Sequence, residues 1–137
     1  MLMVAVQKHI NMSLVESVKS CIGKYAVFSG RASRSEYWWF YFSNVLLNFF
    51  GSVIFGVIGY LFGDIILFPI FAIVGTGLVS LFLIIPGIAV TVRRLHDTGH
   101  SGFWWFIAFV PLIGPIWLLV LLLTGSDDEN QYGLPVY

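Results

Sequence analysis

Tyr37 to Phe62 reads YWWFYFSNVLLNFFGSVIFGVIGYLF, a stretch without one Asp, Glu, Lys or Arg. An α-helix needs about 20 consecutive apolar residues to cross a hydrocarbon core about 30 Å thick. This stretch is long enough, and it opens on an aromatic cluster, Tyr37, Trp38, Trp39 and Tyr41. Amphipathic rings of that kind settle at the level of lipid head groups. The stretch ends at Gly63-Asp64, and Asp64 is the only acid or base other than tyrosine between Tyr37 and Val92. A second span is therefore expected from Ile65 to about Val92, with Pro69 and Pro86 near its ends or kinking it. A third apolar stretch runs from Phe103 to Thr124 and is interrupted by Pro111, Gly114 and Pro115. It reads as a kinked third span, or as a re-entrant hairpin that turns between Leu112 and Pro115 and returns to the face it left.

The composition agrees with a membrane protein. Apolar residues are 58% of the 137 positions and charged residues only 10%, against about 25% charged in a soluble domain. A water-facing coat for three apolar helices cannot be built from so few charges. The expected class is an all-α integral membrane protein with an N-terminal amphipathic interfacial helix and three transmembrane helices. Residues 1–30 form a cytoplasmic N-terminal segment, 31–124 the membrane domain, and 125–137 a polar tail.

Although the formal net charge is zero, the charges are sorted. Lys8, Lys19, Lys24, Arg31 and Arg34 precede the first span, and Arg93 and Arg94 follow the second. In a three-span arrangement all of them share one side. The positive-inside rule makes that side cytoplasmic, which puts the Asp64 turn and the tail with Asp127, Asp128 and Glu129 outside. Such a basic, aromatic-rimmed face suits anionic lipid head groups rather than nucleic acid. Met1 to Val6 lacks the basic flank of a cleaved signal peptide. Cys21 is the single cysteine, so neither an intrachain disulfide nor a cysteine metal site is expected.

Helix starts are signalled twice. Ser13-Leu14-Val15-Glu16 and Ser33-Arg34-Ser35-Glu36 each have the serine and glutamate spacing of a capping box. In the helix after Ser13, Leu14, Val15, Val18, Cys21, Ile22 and Tyr25 share one face, and Glu16, Ser17, Lys19, Ser20, Gly23 and Lys24 the other. That separation describes a helix lying in the membrane surface or packed on protein. At the far end of the second span, Arg93, Arg94 and His96 place cations where the helix dipole favours them, and Gly99 is suited to end the helix.

Within the first span Asn44, Asn48, Ser52, Gly56 and Tyr60 recur every fourth residue, and Gly59 and Gly63 add a small-residue pair. Ala72, Thr76 and Ser80 do the same in the second. These stripes should pack helix on helix, within one chain or between copies, because an unpartnered Asn side chain in hydrocarbon is costly. A conduit lined by Asn44, Asn48 and Thr76 in a small oligomeric channel or transporter is the alternative. His96 and Asp97, with His100, are the one group that suggests chemistry, and a lipid-modifying enzyme is a third reading. Asp97 reads more simply as a turn residue paired with Arg93 or Arg94. No nucleotide fingerprint or catalytic triad is legible, and no cofactor or metal is implied.

Two segments carry a family likeness: Phe28 to Phe40, FSGRASRSEYWWF, and Val92 to Trp105, VRRLHDTGHSGFWW. With Pro111 to Gly114 and Asn130 to Gly133 they resemble the bacterial inner-membrane family catalogued as domain of unknown function 805 (DUF805, YhaH-like). The resemblance implies a multi-span protein of the bacterial inner membrane with no assigned activity. The family pattern falls on Gly30, Arg31, Arg34, Glu36, Tyr37 and Trp38, and on Arg93, Arg94, Leu95, His96, Asp97 and Gly99. His100 stands where the family usually has Arg, which weakens a paired-histidine metal site. The approach to Glu129-Asn130 also departs from the family's Pro-Gly-rich form. Both motifs are expected at the cytoplasmic interface, with Glu36 paired to Arg93 or Arg94. Arg31 and Arg34 are expected to remain free for lipid phosphate or a partner, with Trp38 and Trp104 at the rim. The function that follows is a non-catalytic membrane protein that presents this patch to lipid or to a membrane-protein partner and assembles, as a homo-oligomer, through its small-residue faces.

Overall fold

The computed structural model describes residues 12–63 and 65–136. The readings placed on Met1 to Val6, Lys8, Asp64 and Tyr137 fall outside them. The described residues are helical, with α1 over Leu14–Gly23, α2 over Arg34–Phe62 and α3 over Leu67–Asp97. A 3-10 helix over Gly102–Phe109 and α4 over Ile113–Leu123 follow. No strand forms among them; one isolated bridge joins Asn130 and Gly133 in the tail. Two compact units result, one drawn from Met1–Phe40 and Pro86–Tyr137, the other being Tyr41–Ile85.

α2 and α3 are both long and apolar enough to cross a membrane. In the most apolar window of each, only 11% and 17% of residues are buried. The core helices of a soluble bundle would be covered, so these helices need an apolar solvent. α3 runs five residues past Val92, the end expected from hydropathy. Pro69 is tolerated in its first turn, where a missing N–H has no intrahelical acceptor to lose. Pro86 lies in the interior and is almost fully buried.

In the unit Tyr41–Ile85 the small-residue stripes are used by the chain itself. Asn48 Nδ2 donates to the side-chain and backbone oxygens of Asn44 at 2.7 and 3.0 Å, while its Oδ1 accepts from Ser80 Oγ at 2.8 Å. Ser52 and Thr76 donate back to carbonyls of their own helices. A Cβ on Gly59 would lie 2.6 Å from the Leu67 carbonyl oxygen, and one on Gly75 would lie 2.3 Å from the Phe55 ring. Small residues here let two antiparallel helices touch.

The third apolar stretch is not one helix. At Leu112 the backbone turns with φ 67 and ψ −59, and Ile113 N donates to the Pro111 carbonyl at 2.8 Å. This is a γ-turn of the rare, strained hand. The 3-10 helix and α4 fold against each other across it. A Cβ on Gly114 would fall 1.8 Å from the Ile107 carbonyl oxygen, so only glycine permits the approach. Phe103 to Thr124 is thus a 3-10 helix and an α-helix broken at Leu112 and packed on each other, because Pro111 and Pro115 remove two N–H donors and Gly114 admits close contact.

α1 departs in part from its expected face. Its capping box forms in full, but the buried residues are Ser17 and Cys21, while Val15 and Ile22 are exposed. The packed face joins Ser17 to Cys21 of the apolar set, with Leu14 and Val18 half-buried beside them, and Val15 and Ile22 stay outside.

Candidate functional site

The ends of α2 and α3 meet in a cluster of ionised side chains. Ser33 caps α2 by accepting from Glu36 N at 3.2 Å. The reciprocal half of that capping box is displaced, because the Glu36 carboxylate turns to Arg93. Arg93 Nη1 donates to Glu36 Oε1 at 2.9 Å, and Ser20 Oγ donates to the same oxygen at 3.0 Å. Lys24 Nζ stands 3.7 Å away. Ser17 Oγ donates to the Glu36 backbone carbonyl, so α1 is clipped over the pair by its own serines. The other two nitrogens of Arg93, Nε and Nη2, are buried without an acceptor. Burial first, then the Glu36 charge, pushes the Cys21 thiol up to about 12, against the opposing pull of Arg93 and Lys24. Such a thiol is inert at neutral pH.

A second pairing lies beside the first. Asp97 accepts from Arg31 Nε at 2.8 Å, from Arg94 Nη1 and from Ser126 Oγ. α3 ends there in a Schellman motif: His100 N donates to the Leu95 carbonyl at 2.9 Å and Gly99 N to the His96 carbonyl at 3.1 Å. Gly99 has φ +73, and a Cβ on it would lie 2.4 Å from Asp127 Oδ2. The backbone angle favours glycine, and a side chain there would also have to displace the Asp127 carboxylate.

Arg31, Arg93 and Arg94 set three buried positive charges against two buried negative ones, Glu36 and Asp97. The excess is met by backbone carbonyls. Arg94 Nε donates to the Leu122 carbonyl at 3.2 Å and its Nη2 to that of Thr124, at the negative end of the α4 dipole. Arg31 Nη1 reaches the carbonyls of Asp128 and Gly133, both at 2.9 Å, and its Nη2 those of Asp97 at 3.0 Å and Asp127 at 2.6 Å. Asp127 N in turn donates to the Asp97 carbonyl at 2.9 Å. The tail is thus bound to the second loop through main chain, a contact that leaves no side-chain signature in sequence.

Several residues therefore hold places different from those expected of them. Arg31, expected to be free, is buried with its whole fork engaged. Arg34 stays exposed, with Nε donating to the Thr124 carbonyl at 3.1 Å. Trp38, Trp39 and Trp104 are exposed. His96 and Asp97 have separate partners. The His96 ring contacts the Gly30 carbonyl through Nδ1 at 3.1 Å and stacks on Tyr132, with centroids 3.8 Å apart. His100 contacts the Thr98 carbonyl and meets Trp104 edge-on. Among the described residues no group of three or more His, Cys, Asp or Glu is placed to hold a metal. Asn44, Asn48, Ser52, Gly56, Gly59, Gly63, Ala72, Thr76 and Ser80 take no part in the cluster; the contacts recorded for them belong to the α2–α3 hairpin.

The two quoted motifs and the Asn130–Gly133 tail, which supply most of the cluster, lie within the stretch that known proteins match. The family described as "Protein of unknown function (DUF805)" matches residues 25–134. "Inner membrane protein YhaI" of Escherichia coli K12 is 39% identical over 115 residues, covering 83% of this chain and 89% of that protein. "Inner membrane protein YhaH" of the same strain is 33% identical over 114 residues, covering 80% and 86%. The "Uncharacterized protein YiiR" is 35% identical over 77 residues, 37% of this chain. No solved structure matches. With the match spanning both arginine motifs and the tail, the chain belongs to the DUF805 family, whose relatives here are inner membrane proteins of unassigned function.

Proposed function

We propose that this protein is a non-catalytic inner-membrane scaffold with two spans, α2 and α3, and a C-terminal hairpin that enters the bilayer and returns to the cytoplasmic face. The observation that carries this reading is the pinning of both ends of the hairpin to one cluster. Gly102 packs on Val92, five residues before Asp97, while Thr124 accepts from Arg94 and Arg34 and Asp127 bonds Asp97. An 11-residue α4 is about 16 Å long at 1.5 Å per residue, about half of a hydrocarbon core. Its surface is nevertheless apolar and open: Leu112 is 84% exposed at the tip and Ile113 69%. Such a surface belongs in lipid, at a depth of about one leaflet.

On this reading the N-terminal region, the second loop and the tail all face the cytoplasm, and every Lys and Arg of the chain remains on that side. The acidic tail does not oppose it, since acids weigh little in the positive-inside rule. The buried arginines act as structure, and contact with anionic head groups passes to Lys19 and Arg34 with the exposed Trp38, Trp39 and Trp104. α1 adds Val15 and Ile22 as a surface that can rest on the membrane. Because the small-residue stripes and Asn48 are spent within the α2–α3 hairpin, lipid rather than a second copy is the partner proposed, and a conduit along Asn44, Asn48 and Thr76 is disfavoured. Asp97 is saturated by two guanidinium groups and a serine, so it is a poor acid or base for lipid chemistry with His96.

Fusion reporters at the C-terminus test the topology. A cytoplasmic fluorescent reporter should be bright and an exported phosphatase reporter silent; an active phosphatase fusion would overturn the re-entrant reading.

A further inference from the structure

We propose that the groove between His96 and the start of the hairpin is a lipid site, which takes one acyl chain of a glycerophospholipid and holds its uncharged ester region without selecting the head group. The inference rests on the membrane reading above. The groove has a volume of about 390 Å³, within the span of about 300–1,000 Å³ usual for small-molecule sites. Its lining is mostly apolar, from Val92, Phe103 and Phe106, with His96, Ser101 and Tyr132 as the residues that carry polar groups. Among the described residues no Asp, Glu, Lys or Arg lines it. A ligand recognised by its charge would find no counter-ion, whereas an ester offers carbonyl oxygens that need only neutral donors.

The polar groups are fixed before any ligand arrives. Nδ1 of His96 donates to the Gly30 carbonyl, which fixes the ring as part of the wall and leaves the hydrogen bond to an ester to the Ser101 hydroxyl. The ring is held flat against Tyr132, and Asn130 Nδ2 donates to the His96 carbonyl at 3.0 Å. Arg31 anchors the same turn through Gly133. Ser101 caps the 3-10 helix by accepting from Phe103 N at 3.4 Å, which leaves its hydroxyl hydrogen to donate. That donor and the Phe103 ring line the same groove. Phe103 is 79% exposed, and Phe109, whose ring centroid lies 6.4 Å from that of Phe106, is 70% exposed. A chain whose ester is held at Ser101 can run along these rings into the leaflet that the hairpin occupies. A water-soluble ligand would leave those rings uncovered, which is why the occupant is a lipid.

The test uses the full chain in detergent micelles, with phospholipids bearing a photoreactive diazirine on one acyl chain and either an ethanolamine or a glycerol head. Adducts should concentrate on Phe103, Phe106 and Tyr132 with both probes. They should also survive salt of about 1 M, where the Debye length is about 3 Å. Tyr132→Ala and Ser101→Ala should each lower the yield at these sites by about fivefold, roughly 1 kcal/mol of affinity. Labelling of residues 41–85 should stay unchanged and serves as the control for folding. Adducts spread evenly over all exposed apolar positions would overturn the proposal, as would labelling by the glycerol-headed probe alone that salt abolishes. A C-terminus found outside the cell would overturn the re-entrant topology and leave an adduct map at the groove standing; an even adduct map with the C-terminus inside would remove the groove alone.

Discussion

Glu36 and Arg93 show how much hangs on single side chains in this protein. Both are buried, with side chains 2% and 1% exposed, and Arg93 already carries two nitrogens without acceptors. Removing the carboxylate charge would leave a guanidinium uncompensated in a low-dielectric site, a change that costs about 3–5 kcal/mol. Glu36→Gln should therefore lower the unfolding midpoint of the detergent-solubilised protein steeply. Adding Arg93→Met should recover much of the loss, because an apolar residue of similar volume needs no counter-ion. If the double variant were no more stable than Glu36→Gln, the pair would not be the source of the effect. The pairing itself was legible, since a glutamate at a helix start and two arginines at a helix end at one interface invite it. The difference between Arg31 and Arg34 was not. Both read as juxtamembrane cations, and what separates them is a set of carbonyls presented by a folded tail.

At the scale of elements, the two long helices were readable because apolar length alone specifies them, and the stripes of Asn and Gly predicted their contact. α1 was read correctly as a helix, with Cys21 on its inward face as expected, but Ser17 turns inward beside it and Val15 and Ile22 turn out. Hydropathy assigns Ser17 to the wet side, yet a serine hydroxyl that donates to the Glu36 carbonyl is as well satisfied inside as out. The hairpin after Gly102 was open to two readings because Pro and Gly mark a break without saying where the chain goes next. Its geometry now turns on Gly114, whose missing side chain admits the Ile107 carbonyl. Gly114→Ala would force two backbones apart, and overpacking of this kind costs about 1–3 kcal/mol or more. Thermal unfolding in detergent should show that loss. A Gly77→Ala control in α3, where a Cβ meets nothing within 4 Å, should be neutral or slightly stabilising, as helix propensity favours Ala over Gly.

For the whole molecule, the decisive contact is the one between Arg31 and the tail, because it fixes where the chain finishes. Arg31 engages four carbonyls and a carboxylate through three nitrogens, a geometry that depends on the planar fork of a guanidinium. A lysine keeps the charge but offers one nitrogen on a flexible stem, so it can reach Asp97 or the tail, not both as they now stand. Arg31→Lys should consequently preserve the helices and release the tail. Hydrogen exchange of the amides of Asp127 and Gly133, which donate to the Asp97 and Asn130 carbonyls, should quicken by at least about tenfold, equivalent to about 1.4 kcal/mol of local stability. Amides in residues 41–85 should keep their protection. Since Tyr132 stacks on His96 only while that turn is held, the same variant should open the groove on its tail side and weaken labelling by the acyl probe. Unchanged exchange at Asp127 would mean that the Ser126 and Asn130 contacts hold the tail without Arg31, and the arginine would then be serving chiefly as counter-ion to Asp97.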